Sequence, residues 1–350
     1  MRKFRIAHLL WSFENGGIET MLVNIANEQV KHSDVSIVII GQHCSENLLG
    51  LLDPRICVVR IQRKAHSRSL MPFLKLNYFL FRKRINVIHV HTLDIQKVLL
   101  PFFRKKMYGT LHATFAHKCI TREKLSTFRK VFSISNAVAK QVEQDYHIKT
   151  IVCANGINCK LFKKKENWSF TEFFKIVQVG RVDFENKGQN VLLQALTQLV
   201  RNNDICVTVD FIGKGEDLPR LKEIAKDNNL ENNVHFLGDK TPQYIQKHLC
   251  DYDLLVQPSY FEGFGLTVAE AMAAKVPVLV SDAIGPMEII DNGVYGDFFK
   301  KGDWEECARK IKYLLLSGID EKKVDAAYNR VVSEYDVSST AEKYLKEYAF

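Results

Sequence analysis

Leu254-Leu255-Val256-Gln257 runs without a break into Pro258-Ser259-Tyr260-Phe261-Glu262-Gly263-Phe264-Gly265, and on into Leu266-Thr267-Val268-Ala269-Glu270-Ala271-Met272. The first stretch is short and has strand composition, the second is a Pro- and Gly-rich loop, and the third has the pattern of a helix beginning near Thr267. In an open parallel sheet, ligands bind outside the carboxyl ends of the strands, and this loop leaves such an end. Gly263 and Gly265 let a ligand approach the backbone, and the free N–H groups of the first helical turn, around Gly265, Leu266 and Thr267, suit a phosphate. Glu262 lies on the loop and Glu270 a turn into the helix. Two carboxylates so placed can act as acid and base, or accept hydrogen bonds from vicinal hydroxyls of a sugar or ribose.

The same alternation extends along the chain. Short β-branched runs recur at 35–40, 87–90, 106–111, 176–179, 207–212 and 276–280, with helical patterns at 18–30, 189–202 and 218–228. Runs of this kind are what buried parallel strands look like, so the chain reads as α/β with right-handed crossovers. Its 350 residues exceed what one core organises comfortably, which points to two domains. The turn Asn155-Gly156 and the polar run Lys163-Lys164-Lys165-Glu166-Asn167 mark the boundary. The domains are therefore placed at 1–160 and 170–334. Residues 335–350 form a closing helix with Tyr335, Val337, Ala341, Tyr344, Leu345 and Tyr348 as its apolar positions.

Composition narrows the function classes. No run of 18 apolar residues is present, so no spanning helix is expected. The stretch Phe4 to Trp11 is interrupted by His8 and reads as a first strand rather than a leader, which implies a cytosolic chain. Eight Cys without a C-x-x-C pair suit buried free thiols in a reducing compartment, with no zinc site. The net charge of +9 conceals an asymmetry: residues 1–169 carry 28 Lys and Arg against 11 Asp and Glu, leaving 21 against 29 in the remainder. A basic first half faces something anionic: nucleic acid, anionic lipid or a phosphorylated substrate. The lack of a recognised nucleic-acid-binding motif, with an acidic second half, counts against nucleic acid.

Other segments carry chemistry. Arg181 and Lys187 follow the strand at 176–179, where a guanidinium fork and an ammonium could neutralise a leaving diphosphate without a metal. The idle alternative, Lys187 merely exposed at a helix start, would be a mild misfit with the helix dipole, which favours function. Gly16-Gly17 follows the first strand and precedes a helix, a tight turn able to bring N–H groups to a phosphate or to the acceptor. His112 ends a short strand. His89 and His91 form H-x-H, which lacks a third ligand at a sensible spacing and so reads as packing and hydrogen bonding. Asp251-Tyr252-Asp253 opens a strand at its amino end, opposite the ligand edge, and is not expected to hold a metal. Residues 70–84 and 101–106 are aromatic and basic. They suit an interfacial anchor for anionic lipid, through Arg82, Lys83, Arg84, Arg104, Lys105 and Lys106, or a core helix with a cationic last turn.

Five motifs stand in order: Gly16-Gly17-Ile18-Glu19; Asn155-Gly156-Ile157; Val179-Gly180-Arg181 with Lys187-Gly188; Glu262 to Glu270; and Ser281-Asp282-Ala283-Ile284-Gly285-Pro286-Met287-Glu288-Ile289-Ile290. Over essentially the whole chain this series resembles the retaining glycosyltransferases of the family 4 type; Ile284 departs from it, standing where the family commonly has a second glycine. The resemblance implies the GT-B fold, two Rossmann-like domains facing across a cleft, with the last helix crossing back to the first domain. It implies a nucleotide-sugar co-substrate, UDP-sugar favoured and GDP-mannose possible, on the second domain. The acceptor would be a glycan or lipid-linked hydroxyl in bacterial surface polysaccharide or lipopolysaccharide synthesis. Glu270 would hold the ribose, Arg181 and Lys187 the diphosphate, and Glu262 and His112 the transferred sugar. Gly16, Gly17, Gly265, Leu266 and Thr267 would line the nucleotide-sugar. Neither a cofactor nor an obligatory metal is implied. A nucleotide-sugar epimerase of the same fold is the alternative, whereas a nicotinamide enzyme is disfavoured by the missing G-x-G-x-x-G.

Overall fold

The computed structural model describes residues 4–14, 16–112, 120–169, 173–201 and 206–349. It divides into two units, one of residues 1–156 with 337–350 and one of residues 157–336.

The first unit is built on seven parallel strands: β1 (Arg5–Leu10), β2 (Asp34–Ile39), β3 (Cys57–Arg60), β4 (Val87–Val90), β5 (Met107–Leu111), β6 (Lys130–Ser133) and β7 (Ile151–Val152). Their order is β3-β2-β1-β4-β5-β6-β7, so the chain starts in the middle and winds outward in both directions. The reversal falls between β1 and β4, where His8 lies opposite His89 in the register. His89 in turn lies opposite Tyr108 of β5. Side chains alternate across a strand, so His8, His89, His91, Tyr108, Thr110 and His112 project from one face of this sheet. Helix Gly17–Gln29 packs against helix Val337–Ala349. The latter buries Val337, Thr340, Ala341, Tyr344 and Tyr348, a three-and-four spacing that makes one apolar stripe. Tyr335 is not part of this helix: it follows helix Glu321–Glu334 in the second unit, and Leu345 is only half-buried.

The second unit has six parallel strands: β8 (Phe174–Val179), β9 (Val207–Ile212), β10 (Val234–Gly238), β11 (Leu254–Gln257), β12 (Val278–Ser281) and β13 (Asp297–Phe299). Their order, β10-β9-β8-β11-β12-β13, repeats the same winding and puts the reversal between β8 and β11. One continuous core, with Phe174, Ile176, Leu192, Leu196, Val209, Leu254, Leu279 and Ile311 among its members, fixes the sheet against helices Gln189–Arg201 and Trp304–Ser317. The polar run at 163–165 is docked onto this unit. Lys163 N–H donates to Gln246 O at 2.9 Å, Lys165 N–H to Ala274 O at 2.8 Å, and Lys165 Nζ meets the buried Asp253 carboxylate at 2.9 Å. The polar run that marks the boundary in the sequence thus turns one of its charges onto a core carboxylate.

The seven described cysteines are free thiols, but only Cys153, Cys159, Cys250 and Cys307 are buried; Cys206 is exposed and Cys44 and Cys57 are half-buried. Among the described residues no helix is long and apolar enough to cross a membrane.

Candidate active site

The winding of the second unit brings the carboxyl ends of β8 and β11 side by side, and the loops that leave them are stitched together. After β8, Asp183 caps a one-turn helix, Phe184–Lys187, by accepting the N–H of Asn186 at 3.1 Å. Gly188 then takes a left-handed conformation with φ of 64°, and a Cβ there would stand 2.1 Å from Pro258 O on the β11 loop. Only glycine fits both demands. From the facing loop, Tyr260 and Phe261 donate their N–H groups to Asn186 O at 2.9 and 3.2 Å.

Lys187 and Glu262 meet as a consequence. The ammonium donates to Glu262 Oε2 in an ion pair that leaves 24% and 18% of the two side chains accessible. The idle alternative, an exposed Lys187 at a helix start, does not describe this residue. It ends a short helix, where a cation is favourable, and it is largely covered because Gly188 lets the two loops close. Arg181 remains exposed and, among the described residues, joins neither member of the pair; its carbonyl accepts from the buried Gln189 at 2.9 Å.

Beneath the loop lies a polar network that sequence reasoning missed. Buried Gln257, the last residue of β11, donates to Ser259 Oγ at 2.7 Å and accepts from Thr267 Oγ1 at 3.0 Å. Ser281 Oγ, at the end of β12, donates to Ser259 O at 2.5 Å. One glutamine therefore ties the strand end, the loop and the start of helix Leu266–Ala273. A polar residue closing an apolar strand was the available signal. Gly265, at φ of 105°, turns the chain into that helix. Glu270 lies one turn into that helix, half-buried, and burial pushes its carboxyl up to about 7.

The two aspartates of the D-x-D are engaged separately. Asp253 accepts from Lys165 Nζ and Lys175 N–H, both at 2.9 Å, while Asp251 pairs with His248 at 2.8 Å. They lie before the amino end of β11, away from Glu262. A cavity of about 340 Å³ lined by Val276, Tyr295, Asp297, Tyr313, Leu314 and Lys323 contains none of the site residues.

In the first unit, Gly16 and Gly17 are exposed, and Gly16 O accepts the N–H of Thr20 at 3.0 Å. Glu19 folds back over Gly16, and burial raises its carboxyl above the usual range. His112 follows β5 directly, with Nε2 3.2 Å from His91 Nδ1. The third imidazole that spacing did not reveal is His8, from β1. One ligand atom from each of His8, His89 and His91 lies within 4.8 Å of the others. Both nitrogens of His89 are nonetheless taken, Nδ1 by the Tyr348 hydroxyl at 2.5 Å and Nε2 by Thr110 Oγ1 at 2.6 Å.

Comparison with known proteins agrees with this architecture. Residues 160–330 match the family model of glycosyl transferases group 1, and residues 15–161 match that of glycosyltransferase family 4. The chain belongs to the GT-B glycosyltransferases of the family 4 type. The uncharacterised glycosyltransferase MJ1607 of Methanocaldococcus jannaschii is 24% identical over 388 residues, covering 98% of this chain and 97% of its own. The poly(ribitol-phosphate) α-N-acetylglucosaminyltransferase of Staphylococcus aureus is 31% identical over 156 residues, which is 44% of this chain and 31% of its own. Anabaena HepE, solved in complex with UDP and glucose, superposes with a TM-score of 0.81 at 21% identity over 99% of each chain.

Proposed function

We propose that this chain is a retaining glycosyltransferase that moves a sugar from a UDP-sugar to a hydroxyl of a glycan or lipid-linked acceptor in bacterial surface polysaccharide synthesis. The observation that carries this reading is the Lys187–Glu262 pair at the adjoining carboxyl ends of β8 and β11, the strand reversal where open α/β sheets bind nucleotides. Support for UDP over GDP comes from HepE, whose structure holds UDP and glucose. Support for a polyhydroxylated polymer as acceptor comes from the poly(ribitol-phosphate) enzyme.

In this reading Glu270 accepts hydrogen bonds from the ribose hydroxyls, and Arg181 and Lys187 neutralise the diphosphate. Glu262 takes a hydroxyl of the transferred sugar, and the family resemblance gives His112 another. The bond from the anomeric carbon to the β-phosphate oxygen breaks as the acceptor oxygen attacks from the same face. The hydroxyl proton passes to the leaving phosphate, so no protein base is required. Two cations beside the phosphate do the electrostatic work of a divalent ion.

The basic half fits an anionic membrane. Helix Met71–Arg82 buries Leu76, Asn77 and Leu80 but leaves Leu74, Tyr78 and Phe81 between 59% and 67% exposed. Asn77 holds the neighbouring segment through Val98 O and Leu100 N, both at 2.9 Å, so exposed Leu100 and Phe102 extend the same surface. Arg82, Lys83, Arg84, Arg104 and Lys105 are exposed around it. Lys106 is not available for docking: its ammonium is turned inward onto Ile85 O at 3.1 Å. Anionic head groups contribute about 1 kcal/mol per adjacent cation, enough for reversible binding by five.

The test is UDP release from UDP-sugars, with and without candidate acceptors, in the presence of EDTA. Release that needs an acceptor and survives EDTA supports the reading. Interconversion of the UDP-sugar without acceptor would indicate an epimerase, and a strict Mn²⁺ requirement would remove the metal-free scheme. Sedimentation with anionic liposomes should be strong at low salt, weak at high salt, and lost when Leu74, Tyr78 and Phe81 become Ser. Equal binding by that variant would remove the membrane surface from the proposal.

A further inference from the structure

Three imidazoles and one amide form a continuous file on the sheet face of the first unit. Gln29 Oε1 lies 2.7 Å from His8 Nε2, His8 Nδ1 lies 3.0 Å from His91 Nε2, and His91 Nδ1 lies 3.2 Å from His112 Nε2. His8 and His91 are fully or almost fully buried, and Gln29 is fully buried. The far end of the file, His112 Nδ1, is buried and has no hydrogen-bond partner among the described residues.

A file of neutral imidazoles has a direction. Each ring carries one N–H and one lone pair, so the role of one nitrogen dictates that of the other. Burial keeps the rings neutral, lowering His8 and His112 to about 4 and His91 well below its ordinary value. Gln29 presents its carbonyl oxygen, which can only accept, so His8 must carry its proton on Nε2. His8 Nδ1 then accepts from His91 Nε2–H, and His91 Nδ1 accepts from His112 Nε2–H. His112 Nδ1 is left as a bare lone pair.

We infer that Gln29, His8 and His91 are positioning residues that fix the tautomer of His112, so that its Nδ1 accepts a hydrogen bond from a sugar hydroxyl and never donates one. The sugar part of this statement rests on the glycosyltransferase reading; the tautomer part does not. The arrangement also accounts for the three file histidines on the sheet face and for the buried Gln29 at the end of the helix that covers them. An unpaired buried lone pair is tolerable where a ligand hydroxyl completes it.

The test is ¹⁵N NMR of histidine-labelled wild-type protein. His112 Nδ1 should appear in the unprotonated range and Nε2 in the protonated range. Scalar couplings across the N–H···N bonds should join His8 to His91 and His91 to His112. A protonated His112 Nδ1, or missing couplings, overturns the file. In Gln29→Met, two rings away from His112, a fraction of His112 should carry its proton on Nδ1, with UDP affinity unchanged and kcat reduced several-fold. A folded Gln29→Met protein with an unmoved His112 spectrum also overturns it. The expected spectra in a protein that transfers no sugar would leave the file intact and defeat the functional reading instead.

Discussion

Glu270 is the residue whose chemistry is most visibly tuned. Its folded pKa, about 7, lies above the ordinary carboxylate value because burial disfavours the charge. The folded state therefore holds a proton that the unfolded state releases, and stability falls as pH rises from about 4.5 towards 7. Glu270→Gln should be more thermostable than the wild type at pH 8, with the difference vanishing near pH 4.5. Parallel melting curves at the two extremes would refute the assignment. The same variant should bind UDP roughly tenfold or more weakly, since hydrogen bonds to a charged group contribute about 1.5–3 kcal/mol. At the diphosphate, Arg181→Ala and Lys187→Ala should each lower kcat by on the order of 10²-fold. They should differ in stability: exposed Arg181 costs little, whereas losing Lys187 strands the largely covered Glu262. Near-wild-type turnover in both would remove them from the phosphate. The residues themselves were legible in the sequence, each from its place after a strand. Their meeting was not, because the Lys187–Glu262 contact spans 75 positions and depends on backbone closure at Gly188.

At the level of elements, the strands that sequence reading identified are the central, buried ones, such as β2, β4, β9 and β11, whose β-branched runs carry the signal. Those it passed over are β3, β6, β7, β10 and β13. β7 has two residues and β13 three, the burial of β3 and β10 is incomplete, and β6 sets only Val131 and Phe132 between polar ends, so neither length nor an apolar run marked them. The loops between elements were harder still. Gly188 shows why: the constraint on it comes from Pro258 O on a distant loop. Gly188→Ala combines a left-handed backbone with a backbone clash, so it should destabilise the second unit by about 1–3 kcal/mol and push the two loops apart. Thermal unfolding would measure the first effect and UDP affinity the second. An alanine variant with unchanged melting and affinity would mean that the loops do not depend on this closure.

For the molecule as a whole, the two sheets share one winding, and their strand orders follow from it as right-handed crossovers require. The first unit draws on both ends of the described chain, since the helix Val337–Ala349 supplies Tyr344 and Tyr348 to its interior. Replacing a buried aromatic by Ala costs about 3–5 kcal/mol, so Tyr348→Ala should lower the melting of the first unit and leave that of the second in place. Calorimetry is the measurement, and a shift confined to the second unit's unfolding would contradict the assignment. The helix also sets a timetable. During translation residues 1–156 emerge long before residue 337, an interval of about 10 to 40 s at ordinary elongation rates. Through that interval the sheet face bearing His89, Thr110 and Phe132 lacks its cover. The second unit, continuous in sequence, can mature first. A nascent chain halted before residue 337 should thus be a better client for a chaperone than the finished protein, and most readily cut by protease within its oldest residues.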